Sequence, residues 1–203
     1  MKRAAFAKWR PPPFSSVERG ADRKIDALLA IEDLVLVLFV VTIIVTDWRW
    51  RRIPNAVTYP TMLLGLALGA IESAGPAGFP GSVFPAAMHG GILDHVVGLA
   101  VGFLVAYPFY AGGGLKAGDG KFLMAVGALL GTLFLLQAAV WGALVGGVIA
   151  IGFIVARRVA AARAGTGETV GGLLHTWIPY GVALGLGALV ALAIQLNQLR
   201  GIS

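Results

Sequence analysis

Long apolar runs are the feature that most constrains how this chain can fold. Residues 34–46, for example, carry no charged side chain at all. Of the 203 residues, 58% are hydrophobic and only 13% are charged, whereas soluble domains have about 25% charged residues. Because a soluble core of this size could not bury so many apolar side chains, the chain is predicted to be an integral membrane protein.

The apolar runs predict six membrane-spanning helices. A helix needs about 20 apolar residues to cross a bilayer, and the runs lack the alternation that is typical of barrel strands. The predicted spans are residues 27–47, 56–72, 92–111, 119–132, 137–156 and 177–197. Residues 27–203 are therefore expected to form one all-α membrane domain. Residues 1–26 are polar and basic, and they are expected to form a tail that is disordered or interfacial.

Lys and Arg are concentrated in the loops on one side of these spans. The loops after spans 1, 3 and 5 fall on the same side, and loops 2–3 and 4–5 contain no Lys or Arg. The basic residues are Arg49, Arg51, Arg52, Lys116, Lys121, Arg157, Arg158 and Arg163. The positive-inside rule places this side in the cytoplasm, so the chain is expected in the cytoplasmic (inner) membrane. The basic N-terminal tail, which would lie outside, is an exception to the rule. The net charge of +6 therefore indicates contact with anionic membrane lipids rather than nucleic acid.

Two aspartates lie at this predicted cytoplasmic boundary. Asp47 ends span 1 and Asp119 starts span 4. A carboxylate at membrane depth is energetically costly and suggests a functional site. If two carboxylates come close, they cannot both ionise, so one keeps a proton. Such a dyad can activate water against a peptide carbonyl and protonate the leaving amine, as in aspartic peptidases. The retained proton belongs to the pair, so neither role is assigned to one residue.

Each aspartate also has a purely structural interpretation. Asp47 could pair with Arg49 or Arg51 at the membrane boundary. Asp119 could cap the amino end of span 4. The catalytic interpretation is favoured by the two aspartates together and by the residues around them.

The segments around both aspartates resemble the type IV prepilin peptidase family, which are membrane aspartyl peptidases of the GxGD kind. The resemblance extends over about residues 34–198. It is carried by Asp47-x-Arg49-x-Arg51-Arg52-Ile53-Pro54-Asn55-x-x-Thr58, by Ala117-Gly118-Asp119-Gly120-Lys121-Phe122-Leu123-Met124-Ala125-x-Gly127, and by Ile178-Pro179-Tyr180-Gly181. In one respect the chain departs from the pattern, because Lys116 stands at the first glycine of GxGD.

This resemblance implies that Asp47 and Asp119 are the catalytic pair of an aspartic-type endopeptidase that uses no cofactor. The implied substrates are pilin-like precursors of type IV pilus or secretion systems. In these precursors a short basic leader precedes a hydrophobic helix and is cut at the cytoplasmic face. Longer members of the family carry a methyltransferase portion with a cysteine zinc site. The chain has no cysteine, so it is expected to be the short form with peptidase activity only.

Four further residues are predicted to support the site. Gly118 and Gly120 would let backbone and substrate approach the carboxylates closely. Lys121 could hold substrate or screen the pair, or it could extend to lipid phosphates. Asn55 could hydrogen-bond the pair, or it could cap span 2.

No metal is expected from the sequence. His89, Asp94 and His95 lie near the face opposite Asp119 and lack a third close ligand. Glu32 and Asp33 belong to the far end of span 1, roughly 20 Å from Asp47, so they cannot join the pair. The sequence predicts no oligomeric state.

Two other functions remain open at this point. Buried aspartates also serve small proton- or cation-coupled carriers, although transport sites usually lie near the middle of the bilayer. The third possibility is a catalytically inactive assembly scaffold that keeps the fold. Only Lys116, which departs from the GxGD pattern, favours it.

Overall fold

The computed structural model describes residues 16–74, 91–164 and 180–202, and all the regular structure in these ranges is helical. The helices are α1 (Ser16–Trp50), α2 (Asn55–Ser73), α3 (Ile92–Ala111), α4 (Ala117–Ala164) and α5 (Tyr180–Ile202). Each contains a stretch long and apolar enough to cross a membrane. The predicted all-α membrane fold is therefore confirmed.

The first helix begins earlier than the first predicted span. α1 starts at Ser16, so residues 16–26 of the predicted tail are helical, while its apolar stretch covers Ala27–Trp50. Residues 1–15 lie outside the described residues. The division into a tail and a membrane domain stays a prediction.

The fourth helix contains both predicted spans 4 and 5, so five helices are observed where six spans were predicted. Gly131 interrupts the helical backbone of α4 with φ 77° and ψ −178°. This conformation is accessible almost only to glycine. Gly131 divides α4 into a first arm, residues 117–130, and a second arm, residues 132–164.

The two arms run in opposite directions. Along the first arm and α3, Gly127 faces Gly98 and Leu123 faces Gly102, so these two segments are antiparallel. The second arm pairs with α5 in the same manner, with Gly142 facing Gly187 and Gly146 facing Ala183. In the first two turns of α5, Gly181 abuts Asp47 and Gly185 abuts Ile44, so α5 is antiparallel to α1. The second arm therefore returns toward the end of the molecule where the first arm began.

The core contains buried side chains from all five helices, and most of them lie on α1, α4 and α5. Its largest fully buried side chains include Leu36 and Ile43 of α1, with Phe122 and Leu129 of α4. The rings of Phe39 and Phe122 stack with their centroids 5.3 Å apart. This packing places the end of α1 beside the start of α4, where the two aspartates were predicted.

Candidate active site

Asp47 lies in the last turn of α1 and is only 6% exposed. Its Oδ2 atom is buried and has no hydrogen-bond partner among the residues that the structure describes. The start of α5 packs directly on this carboxylate, because a Cβ atom on Gly181 would lie 2.8 Å from Oδ2. Asp47 is thus enclosed by close helix packing.

Asp119 lies in the first turn of α4 and is 4% exposed. Its Oδ2 accepts a hydrogen bond of 3.0 Å from the backbone N–H of Lys116, the residue before the helix. Here the side chain of the third helical residue reaches back to the amide that precedes the helix. The bond fixes the carboxylate at the helix start, and a carboxylate is also favoured there by the helix dipole.

Lys116 occupies its position without a left-handed backbone. Among the described residues other than glycine, only Arg51 has a positive φ. Lys116 therefore needs no glycine conformation, and it donates its backbone N–H to Asp119.

The structure brings Asp47 and Asp119 together although they are 72 positions apart in the sequence. Both carboxylates are buried at the same end of the helix bundle, close enough to interact electrostatically. The three elements that meet here are the end of α1 and the starts of α4 and α5. The role of the two aspartates as a catalytic pair stays a prediction.

The predicted supporting residues line the contacts between α4 and its neighbours. A Cβ atom on Gly118 would lie 3.1 Å from Cβ of Ile53, and one on Gly120 would lie 3.3 Å from Cβ of Ala106. Both glycines are helical, so their observed role is close packing around Asp119.

Lys121 and Asn55 contact each other. The Lys121 ammonium donates a 2.8 Å hydrogen bond to Oδ1 of Asn55 and lies 5.2 Å from the ring centroid of Tyr59. Pro54 precedes α2 at the N-cap position, and Asn55 is the first helical residue. The pair therefore joins the start of α2 to the start of α4, beside the aspartates.

The sequence profile of the type IV leader peptidase family matches residues 34–151, more than half of the chain. The chain belongs to the type IV leader peptidase family. The match begins in α1 ahead of Asp47 and ends in the second arm of α4, so it includes both aspartates. No curated protein and no solved structure matches the chain.

In this family member a groove opens between α3 and the first arm of α4, and residues on both sides of Asp119 in the sequence line it. Its volume is about 240 Å³. It is lined by Phe103, Ala106, Tyr107, Tyr110, Lys116, Ala117, Gly120, Lys121 and Met124. Sequence reasoning did not find this groove, although Phe103, Tyr107 and Tyr110 have the spacing of one helix face.

The contact of Gly181 with Asp47 was not predicted from the sequence. Gly181 was part of the quoted resemblance, but its contact with Asp47 depends on how α5 packs against α1. The preceding Ile178 and Pro179, together with His89, lie outside the described residues. Asp94 and His95 lie at the opposite end of the molecule, as predicted.

Proposed function

We propose that this member of the leader peptidase family is a membrane aspartyl endopeptidase with Asp47 and Asp119 as its catalytic pair. Its substrates are pilin-like precursors, from which it removes the short basic leader. The observation that carries the proposal is the burial of both carboxylates at one end of the helix bundle, close enough to interact electrostatically. No other function considered from the sequence needs this pairing.

The pair supports a water-activated hydrolysis. The ionised carboxylate takes a proton from water as the water oxygen attacks the scissile carbonyl carbon. The protonated carboxyl donates a hydrogen bond to the carbonyl oxygen and stabilises the charge that develops there. When the C–N bond breaks, the pair supplies the proton that the leaving amine requires. Burial strengthens these electrostatic interactions, because little water screens them.

The groove beside Asp119 suits the apolar part of such a precursor. Its aromatic side chains are exposed on α3, with Phe103 49% and Tyr107 53% accessible, on a face that lipid would cover. A hydrophobic substrate helix that lay along α3 would bring the peptide bond at its amino end to Asp119. The basic leader would then extend past the aspartates to the aqueous side.

This aqueous side is proposed to be the cytoplasm. The exposed arginines Arg157 and Arg158 lie at the far end of the second arm of α4, which returns to the end of the bundle that holds the aspartates. Positive residues are retained on the cytoplasmic side of inner-membrane proteins, and they attract anionic headgroups there.

The proposal is tested by incubating the purified protein in lipid with several pilin-like precursors and mapping the products by mass spectrometry. We expect one cut per precursor, between the basic leader and the hydrophobic helix. A precursor whose leader lysines and arginines are changed to glutamine serves as the matched control. Absence of cleavage, together with proton or cation flux in proteoliposomes, would favour the carrier instead. Absence of both would favour the scaffold.

A further inference from the structure

A second buried polar cluster lies at the end of the molecule opposite the aspartates. It consists of Glu32 on α1, Glu72 on α2 and His95 on α3. One ligand atom from each residue lies within 4.8 Å of the other two. Glu32 is 3% exposed and His95 is 4% exposed. The proposed peptidase mechanism uses none of these residues.

We propose that Glu32, Glu72 and His95 bind a divalent transition-metal ion, for which Zn²⁺ is the probe. Two carboxylate oxygens and one imidazole nitrogen form a donor set that proteins use for zinc and related first-row ions. Mg²⁺ and Ca²⁺ prefer oxygen ligands alone.

The hydrogen bonding of His95 leaves its Nε2 atom available to bind a metal. Nδ1 lies 2.8 Å from the carbonyl oxygen of Ala128. Because a carbonyl can only accept, Nδ1 carries the hydrogen, and Nε2 of the neutral ring then has a free lone pair. Metal-binding histidines are commonly oriented by such a bond from the second ring nitrogen. Gly69 makes room for the ring, since a Cβ atom there would lie 2.6 Å from Cδ2 of His95.

The distance between the ligand atoms of His95 and Glu72 fits a tetrahedral site. Nε2 of His95 lies 3.4 Å from Oε2 of Glu72. Zinc bonds of about 2.0–2.1 Å in tetrahedral geometry place two ligand atoms about 3.3–3.4 Å apart. The same Glu72 oxygen accepts a 3.0 Å hydrogen bond from the backbone N–H of Gly91, which holds the carboxylate in position.

A buried oxygen atom of Glu32 is a second, independent observation that points to a bound ion. Its Oε1 atom is buried and has no hydrogen-bond partner within the described part of the chain. A buried carboxylate oxygen without a partner is costly at membrane depth. One divalent ion beside a neutral imidazole would balance both glutamate charges. The competing arrangement is a proton shared by the glutamates next to a protonated His95.

The inference does not depend on the proposed peptidase activity, because its readout is metal content. Purified protein in detergent is stripped with a chelator, loaded with Zn²⁺, desalted and analysed by elemental mass spectrometry. We expect one zinc per chain and a higher unfolding temperature after loading. Glu32→Gln, Glu72→Gln and His95→Gln should each bind zinc at least about tenfold more weakly. Asp33→Asn, which changes a neighbouring acid on α1, should bind zinc as the wild type does.

Cobalt titration of the wild type gives a second readout that needs no variant. Tetrahedral Co²⁺ absorbs visible light much more strongly than hexa-aqua Co²⁺, so saturable absorption that Zn²⁺ displaces would support the site. If the wild type binds neither ion, or if folded cluster variants keep full zinc content, the proposal is overturned. The cluster would then be the proton-sharing ion pair.

Discussion

The two aspartates are held in place by different means. Asp119 is fixed by a hydrogen bond from the backbone of Lys116. Asp47 has a buried Oδ2 without a partner among the described residues and is confined by the packing of Gly181. Substitutions near Asp119 should therefore lower activity by removing a hydrogen bond, and substitutions near Asp47 should lower it by disturbing helix packing.

Replacing Gly181 by alanine should lower activity by misplacing Asp47. The added methyl group would lie 2.8 Å from Oδ2 and 2.9 Å from Cγ of Asp47, so the carboxylate or α5 has to move. A displacement of about 1 Å at a reacting group can cost roughly 100-fold in rate. We expect kcat for precursor cleavage to fall about 10- to 100-fold.

Gly147→Ala is the matched control, because a Cβ atom at Gly147 would meet nothing within 4 Å. It should cleave at the wild-type rate. If Gly181→Ala were equally active, the packing of α5 on Asp47 would have no bearing on catalysis.

Lys116 should contribute to activity through its backbone N–H, which positions Asp119, and not through its side chain. Lys116→Gly keeps the donor to Asp119, so kcat should stay within about twofold of wild type. Lys116→Pro removes the donor, and the loss of a charge-assisted hydrogen bond costs about 1.5–3 kcal/mol. We expect this proline variant to lose at least about tenfold in kcat. Equal kcat values for the two variants would show that the hydrogen bond does not position Asp119.

At the scale of elements, the break in α4 allows both arms to pack against different partners. The first arm contacts α3 through Gly98 and Gly127, and the second contacts α5 through Gly142 and Gly187. Close contact of small residues is a common basis of helix association in membranes. Gly131 joins the arms, and the Oδ1 atom of Asp94 accepts a 3.2 Å hydrogen bond from the N–H of Thr132 just beyond it.

Gly131→Ala should destabilise the protein. The backbone at φ 77° strains an alanine, and the added Cβ atom would meet Oδ2 of Asp94. Such backbone strain costs on the order of 1–3 kcal/mol, before the steric contact is counted. We expect a lower unfolding temperature in detergent. Gly152→Ala is the control, because a Cβ atom there would meet nothing within 4 Å, and it should unfold at the wild-type temperature. An unfolding temperature of Gly131→Ala equal to that of the wild type would show that the break at residue 131 does not require glycine.

Much of the fold and the dyad could be predicted because the signals are local. Continuous apolar runs predict helices, and the number of crossings places Asp47 and Asp119 at the same end. The continuity of α4 could not be predicted, because hydropathy does not distinguish a loop from one glycine that reverses the chain at residue 131. The contact between Gly181 and Asp47 depends on the register of α5 against α1, which periodicity leaves open.

The cluster of Glu32, Glu72 and His95 was missed for a similar reason. In the sequence, the polar residues nearest to His95 are Asp94 and His89, but the carboxylates that lie beside its ring come from α1 and α2. No spacing rule joins positions 32, 72 and 95. Only the packing of three helices brings them together.

At the scale of the whole molecule, the two buried polar clusters lie at opposite ends of the bundle. Asp47 and Asp119 occupy one end, and Glu32, Glu72 and His95 occupy the other. The apolar residues between them face outward over much of their length, as shown by Leu63 at 68% and Val148 at 71% exposed. Lipid is expected to cover this belt, with the aspartates at the cytoplasmic boundary.

The orientation can be measured directly because the chain has no cysteine. Arg158→Cys, near the end of the second arm of α4, should react with a membrane-impermeant maleimide only from the cytoplasmic side. Ala74→Cys, just after α2, should react only from the opposite side. The cysteine-free wild type is the unlabelled control. Labelling of both positions from the same side would contradict the topology, and exchange of the two sides would reverse the orientation.

The catalytic role of Asp47 and Asp119 is tested by measuring cleavage of a pilin-like precursor by the Asp47→Asn, Asp119→Asn and double variants. Asparagine is nearly the same size as aspartate, so unfolding temperatures should change little. Each single change should lower kcat about 10²- to 10⁴-fold, and the double variant should be no slower than the slower single variant. Asp33→Asn, on α1 roughly 20 Å from Asp47, should cleave normally. A folded Asp47→Asn or Asp119→Asn variant that cleaves at the wild-type rate would contradict the account.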